Sequence, residues 1–153
     1  MKALELKLPP LLLTVVTGLL MWLTANALPN LDRVHAWQTQ LALLLACGGL
    51  VFAVYAVLAC RRAGTTVHPL KPDESSSLIT SGVFRFTRNP MYFGMLLVLL
   101  AWSIELGNVM ATAWLFIYVL YMNQFQILPE ERALEARFGD EYRDYHKRVR
   151  RWI

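Results

Sequence analysis

The sequence predicts an all-α integral membrane protein with about four transmembrane helices and a C-terminal cytoplasmic amphipathic helix. Three observations carry this expectation. Of 153 residues, 56% are hydrophobic and only 17% charged, against roughly 25% charged residues in soluble domains. The mean hydropathy is +0.40. Nearly all Lys and Arg avoid four long apolar stretches and collect at the chain ends and in one central loop. Four spans of about 20 residues use roughly half of such a chain, which leaves one membrane domain over residues 1–153.

The first apolar run, residues 8–28, is opened by Pro9-Pro10, closed by Pro29-Asn30, and carries no ionisable side chain. Its Ala25-Asn26-Ala27 end resembles a signal-peptidase site, but the run is longer than a usual leader segment and reads as a span. The second, residues 37–60, stops at Arg61-Arg62, with Trp37 and Tyr55 as interfacial rings. The third and fourth, 90–106 and 109–126, form a hairpin joined at Gly107-Asn108. Both are short for spans, a mismatch that tilt or local thinning accommodates.

Positive charges set the orientation, since Lys and Arg flanking spans are held on the cytoplasmic side. With the N-terminus inside, every Lys and Arg except Arg33 falls on that side. Both termini, the loop 61–89 and the tail 128–153 are then cytoplasmic. The net charge of +4 is matched to anionic lipid head groups rather than to nucleic acid. Cys47 and Cys60 imply neither a disulfide nor a metal framework.

The loop and the tail hold almost every candidate functional group. Turn residues punctuate the loop at Gly64, Pro69, Pro72 and Gly82, while Val83, Phe84 and Phe86 suit packing at the interface. Asn89 before Pro90 fits an N-cap followed by proline at the first helical position. The free N–H groups of that helix start, with Arg85 and Arg88 alongside, suit a carboxylate or phosphate; they equally fit a span that simply begins among head groups. Pro129-Glu130-Glu131 reads as a second helix start with acids in its first turn. Leu134, Phe138, Tyr142, Tyr145, Val149 and Trp152 recur at three- or four-residue steps, interrupted at Gly139-Asp140. That face anchors the tail to the membrane surface or roofs a ligand pocket.

Topology brings Glu130 and Glu131 to the depth of the Asn89-Pro90 helix start, so two acids, two arginines and an open helix end surround one cavity suited to a zwitterion. His68, before Pro69, is a candidate base or ligand contact. His35 lies in the short outer loop, and His146 on the polar side of the tail. Glu105 marks the outer end of the third span, and Asn123, Gln124 and Gln126 the inner end of the fourth. No GxGxxG, P-loop, HExxH or paired-Cys motif occurs, which excludes a Rossmann dinucleotide domain and the common metal sites.

The stretch T-S-G-V-F-R-F-T-R-N-P-M-Y-F-G, Thr80 to Gly94, is followed after the hairpin by P-E-E-R and an F-G-x-x-Y-x-x-Y tail. This combination resembles the isoprenylcysteine carboxyl methyltransferases and their phospholipid methyltransferase relatives over about the C-terminal half; the first two spans match only in hydropathy. The resemblance implies a membrane-embedded enzyme that takes methyl groups from S-adenosylmethionine without a Rossmann fold. Carried over residue by residue, it implies a cofactor site of Arg88, Asn89, Pro90, Tyr92, Gly94, Glu130 and Glu131, with Tyr142 and Tyr145 in the segment closing over it. Many members have His where this chain has Asn89, which caps and donates but does not titrate.

The implied reaction is an in-line displacement needing alignment and exclusion of water. A carboxylate acceptor needs no base, whereas an amine or thiol does, with His68 or Glu130 available. Arg85 or Arg88 is placed to orient an acidic head group on a lipid-like acceptor entering sideways from the bilayer. Two alternatives stay open, phosphatidylethanolamine N-methylation and a non-catalytic scaffold or transport subunit. No span offers a Gly-x-x-x-Gly face from which an oligomer follows.

Overall fold

The computed structural model describes residues 5–28, 36–64 and 76–153. Arg33, His35, His68, Pro69, Lys71 and Pro72 lie outside the described residues. Regular structure is helical, with one short 3-10 turn, Gly82–Arg85, and no strand among the described residues.

Helix α1 (Pro10–Ala27) begins where Pro9-Pro10 dictates, with Pro10 in its first turn. Its hydroxyls bridge outward to the neighbouring helices: Thr14 Oγ1 lies 3.1 Å from the Tyr118 hydroxyl, and Trp114 Nε1 donates to Thr24 Oγ1 at 3.0 Å. Helix α2 (Ala36–Arg62) packs along α3 (Pro90–Leu106) as the most intimate pair in the molecule. Gly49 and Gly94 allow it. A Cβ built on Gly94 runs into the Gly49 carbonyl oxygen and lies 3.1 Å from Ala53, and one on Gly49 meets the Gly94 carbonyl oxygen. We expect Gly94→Ala to cost ~1–3 kcal/mol through overpacking. Thermal melting of detergent-purified protein reads this, with Gly48→Ala as the control, since nothing lies within 4 Å of a Cβ there.

The hairpin turn behaves as its residues dictate. Gly107 takes φ 58° to end α3, and the Asn108 side chain accepts the Ala111 N–H at 3.0 Å to begin α4 (Val109–Tyr121). By length and composition, α1 and α2 are apolar enough to cross a membrane, while α3 is apolar with 17 residues. Leu11, Leu44, Phe116 and Leu120, on the outer faces of α1, α2 and α4, are 64%, 72%, 72% and 67% exposed.

The chain departs from expectation after α4. Instead of ending at Gln126 and restarting at Pro129, the helix runs through a π segment, Met122–Ile127, directly into α5 (Leu128–Phe138). Ile127 and Leu128 are themselves helical, so Pro129 marks no free helix start and Glu130 and Glu131 complement no open dipole end. The physical reason is the proline, which lacks an N–H and clashes with the carbonyl four residues earlier. A widened π turn relieves the clash. The Phe125 carbonyl so deprived accepts the Leu6 N–H at 2.9 Å, and Glu5 pairs with Arg132 beside it. Gly139, at φ 54°, then separates α5 from α6 (Asp140–Arg148), which buries Tyr142 and Tyr145 and exposes its charged side chains.

Candidate functional site

Where the N-terminal end of α3 meets α5 and α6, the chain encloses a cavity of about 130 Å³. Arg88 to Tyr92 form one wall, Glu130, Glu131 and Leu134 a second, and Tyr142 and Tyr145 the roof. Cys60 of α2, the stretch Ser77–Ile79 and Phe84 close it.

The two adjacent glutamates have opposite surroundings. Glu131 is held by two arginines, with Arg88 Nη2 donating to Oε1 at 2.6 Å and Arg151 Nη2 to Oε2 at 2.5 Å. Burial alone would raise its pKa, but the hydrogen bonds and charges of Arg151 and Arg88 outweigh that and hold it below the usual carboxylate range. Glu130 receives only neutral donors, the Tyr92 hydroxyl at 2.5 Å and the Gln126 amide. Burial, offset only in part by these two bonds and reinforced by the charge of Glu131, pushes it up to about 8. Burial likewise raises Tyr142 and Tyr145, so both remain neutral phenols.

The tail after α6 returns across the start of α3. Arg88 N–H donates to the Arg150 carbonyl at 3.0 Å, Thr87 Oγ1 to Arg151 O at 2.9 Å, and Arg88 Nη1 to Val149 O at 2.5 Å. Tyr145 donates to Phe84 O at 2.8 Å, and Trp152 Nε1 to Asn123 Oδ1 at 3.0 Å. Of the two arginines expected beside the helix start, Arg88 is thus held by the chain's own carbonyls and by Glu131. Asn89 holds the cap position, yet its side chain makes no cap bond and donates to Arg151 O at 3.0 Å.

The structure brings Arg88, Asn89, Pro90, Tyr92, Glu130, Glu131, Tyr142 and Tyr145 around one cavity. Gly94 does not join them, because it is occupied by the contact with Gly49. Arg85 is exposed and does not line the cavity, since the 3-10 turn that directs Phe84 inward turns its neighbour out. His68 is outside the described residues. Sequence reasoning missed Arg151, Cys60 and Ile79, none of which stands in a periodic pattern, and passed over Thr87, which stands inside the quoted 80–94 stretch. Gln126, for which the sequence left open the cavity or water, donates to Glu130.

Comparison with known proteins gives a consistent set of relatives. The sequence model of the family described as phospholipid methyltransferase matches residues 37–141. The chain is 30% identical over 139 residues to protein-S-isoprenylcysteine O-methyltransferase A of Arabidopsis thaliana, covering 90% of this chain and 70% of that protein. It is 32% identical to protein-S-isoprenylcysteine O-methyltransferase of Schizosaccharomyces pombe over 74% of this chain and 48% of that protein. An uncharacterised protein of Haemophilus influenzae is 54% identical over 63 residues, 41% of this chain and all of that one. No solved structure matches the chain.

Proposed function

Because the chain belongs to the phospholipid methyltransferase family, and is with it a methyltransferase, we propose that it transfers the methyl group of S-adenosylmethionine to a lipid-like acceptor, using the cavity under α6 as its cofactor site. The observation that carries this reading is that Arg88 to Tyr92 and the Glu130-Glu131 pair, distant in sequence, line one cavity.

The residues present suit that cofactor chemically. Arg88 Nε is buried without a partner and offers a donor for a carboxylate. Glu130 faces the cavity with no cation beside it and suits a cationic end, and the tyrosine rings suit both an adenine and a cation. The space of about 130 Å³ is smaller than the roughly 300–1,000 Å³ of small-molecule pockets. Binding therefore requires the Ser77–Ile79 stretch or the α6 roof to give way. When bound, S-adenosylmethionine supplies an electrophilic methyl carbon on a sulfonium. The chain contributes alignment and a roof of Tyr142 and Tyr145 that excludes water.

We read the molecule as four membrane crossings. The π segment extends α4 into a rod long enough to span, apolar side chains face outward on α1, α2 and α4, and Arg62 at the end of α2 lies beside the 79–83 turn that precedes α3. Both termini and the cavity are then cytoplasmic. The acceptor reading follows the relatives named for S-isoprenylcysteine: a carboxylate, which needs no base. A second reading, amine methylation of phosphatidylethanolamine, is favoured by Glu130, whose pKa near neutrality suits a general base.

Membranes containing the protein, given methyl-labelled S-adenosylmethionine and either S-farnesylcysteine or phosphatidylethanolamine, are expected to form a base-labile ester on the first. Glu130→Gln is expected to lower that rate at least ~10-fold. Label only on the amine selects the second reading. Label on neither, from folded protein, overturns the proposal.

A further inference from the structure

A second recess lies across the segment that walls the cavity. It is a groove of about 380 Å³ between the C-terminal end of α2 and residues 79–83. Tyr55 and Leu58, one helical turn apart, are 58% and 38% exposed on its α2 side. Arg62, one turn further, stands at the rim with Ser81 and Gly82 opposite. The groove thus grades from apolar to cationic along the axis of α2, as an amphiphile lying in a bilayer would require. Arg62 makes no ion pair among the described residues.

Only a thin partition separates the two recesses. Ile79 lines both of them, and in the following turn Val83 faces the groove while Phe84 faces the cavity. An occupant of the groove is therefore one side chain away from the glutamates and tyrosines.

Resting on the methyltransferase reading, we propose that this groove docks the methyl acceptor: an isoprenyl-thioether amphiphile whose carboxylate pairs with Arg62, whose chain lies along Tyr55 and Leu58, and whose path to the cavity crosses Ile79. A guanidinium fork matches a carboxylate in shape and charge. The other large groove, about 670 Å³ between α1, α2 and α3, carries Glu105 at its edge and no cation. Its charge is wrong for this ligand. Arg85, from the same turn as Val83, does not line the docking groove.

The test uses the full chain in nanodiscs with a diazirine-bearing S-farnesylcysteine, the corresponding amide, and mass-spectrometric mapping of the labelled peptides. S-adenosylmethionine binding is measured on the same samples. The acid is expected to label the peptides containing Tyr55–Arg62 and Ile79–Val83. Labelling should fall about 10-fold in Arg62→Gln, as for loss of one charge-assisted pair, and recover in part in Arg62→Lys. The amide should label weakly throughout, and cofactor affinity should stay within about 2-fold in all variants. Equal labelling of wild type and Arg62→Gln, labelling as strong with the amide, label confined to the α1–α3 groove, or no label would each overturn the proposal. So would displacement of the acid by a phosphatidylethanolamine that itself labels the groove. Expected labelling without cofactor binding would leave the groove standing and remove the cofactor site.

Discussion

Arg88→Ala is expected to detach the tail and abolish tight cofactor binding together. The Arg88 and Glu131 side chains are only 7% and 11% exposed, so the truncation strands a buried carboxylate with Arg151 alone. It also removes the guanidinium bonds to His146 O and Val149 O. Breaking a buried pair from one side costs ~3–5 kcal/mol, which at this chain length lowers the melting temperature by roughly 10 °C. The roof residues Tyr142 and Tyr145 lie on the segment that this pair ties down, so cofactor affinity should fall at least ~100-fold with the lost enclosure. Arg88→Lys keeps the charge but not the fork, and is expected to fall between the two. Arg143→Ala, which removes exposed pairs to Glu135 and Asp140, should leave the melting temperature almost unchanged. Thermal melts and calorimetric titrations of the three variants check this ordering.

The second large effect is a pH dependence of cofactor binding set by Glu130. With its pKa near 8, the group is mostly neutral at pH 6 and must lose its proton to receive a cation. Affinity for S-adenosylmethionine should therefore rise close to tenfold per pH unit from 6 towards 8 and level off above, one proton being released on binding. Glu130 bonds Tyr92 and lies beside Glu131, and the other titratable groups lining the cavity are Cys60, Arg88, Tyr142 and Tyr145. The tyrosines of the roof stay neutral and Glu131 stays ionised through this range, so none imitates the slope. Glu130→Gln should bind weakly with no slope. In the ligand-free protein the sign is the reverse. A raised carboxyl favours the folded state while protonated, so its contribution is full below the usual carboxylate range and is lost as the pH rises through about 8. Calorimetry in buffers of different ionisation enthalpy, and melts across the same pH range, measure the two trends.

Local chemistry made much of the fold legible. Pro9-Pro10, Asn89-Pro90, Gly107-Asn108 and Gly139 end or begin helices where their backbone preferences require, and the apolar runs between them are helices. Pro129 misled because proline in a first helical turn and proline behind a π turn look alike in sequence. The difference lies in who satisfies the Phe125 carbonyl, and that partner, Leu6, comes from the far end of the chain. Gly94 misled in a related way: a glycine in a motif says that something approaches closely, and here it is Gly49 rather than a ligand. Arg88, Glu130 and Glu131 were identified as one constellation from topology alone. Which of them face each other and which faces the cavity depended on Arg151, and neither spacing nor periodicity announces that residue.

The most direct test of the central claim is a calorimetric titration of S-adenosylmethionine into the detergent-purified, lipid-supplemented protein at pH 8, alongside Glu130→Gln. Saturable binding by the wild type, lost or much weakened in a variant that melts normally, is the expected result. A folded wild type that takes up no S-adenosylmethionine, or a Glu130→Gln variant that binds it equally well, would contradict the assignment of this cavity as the cofactor site.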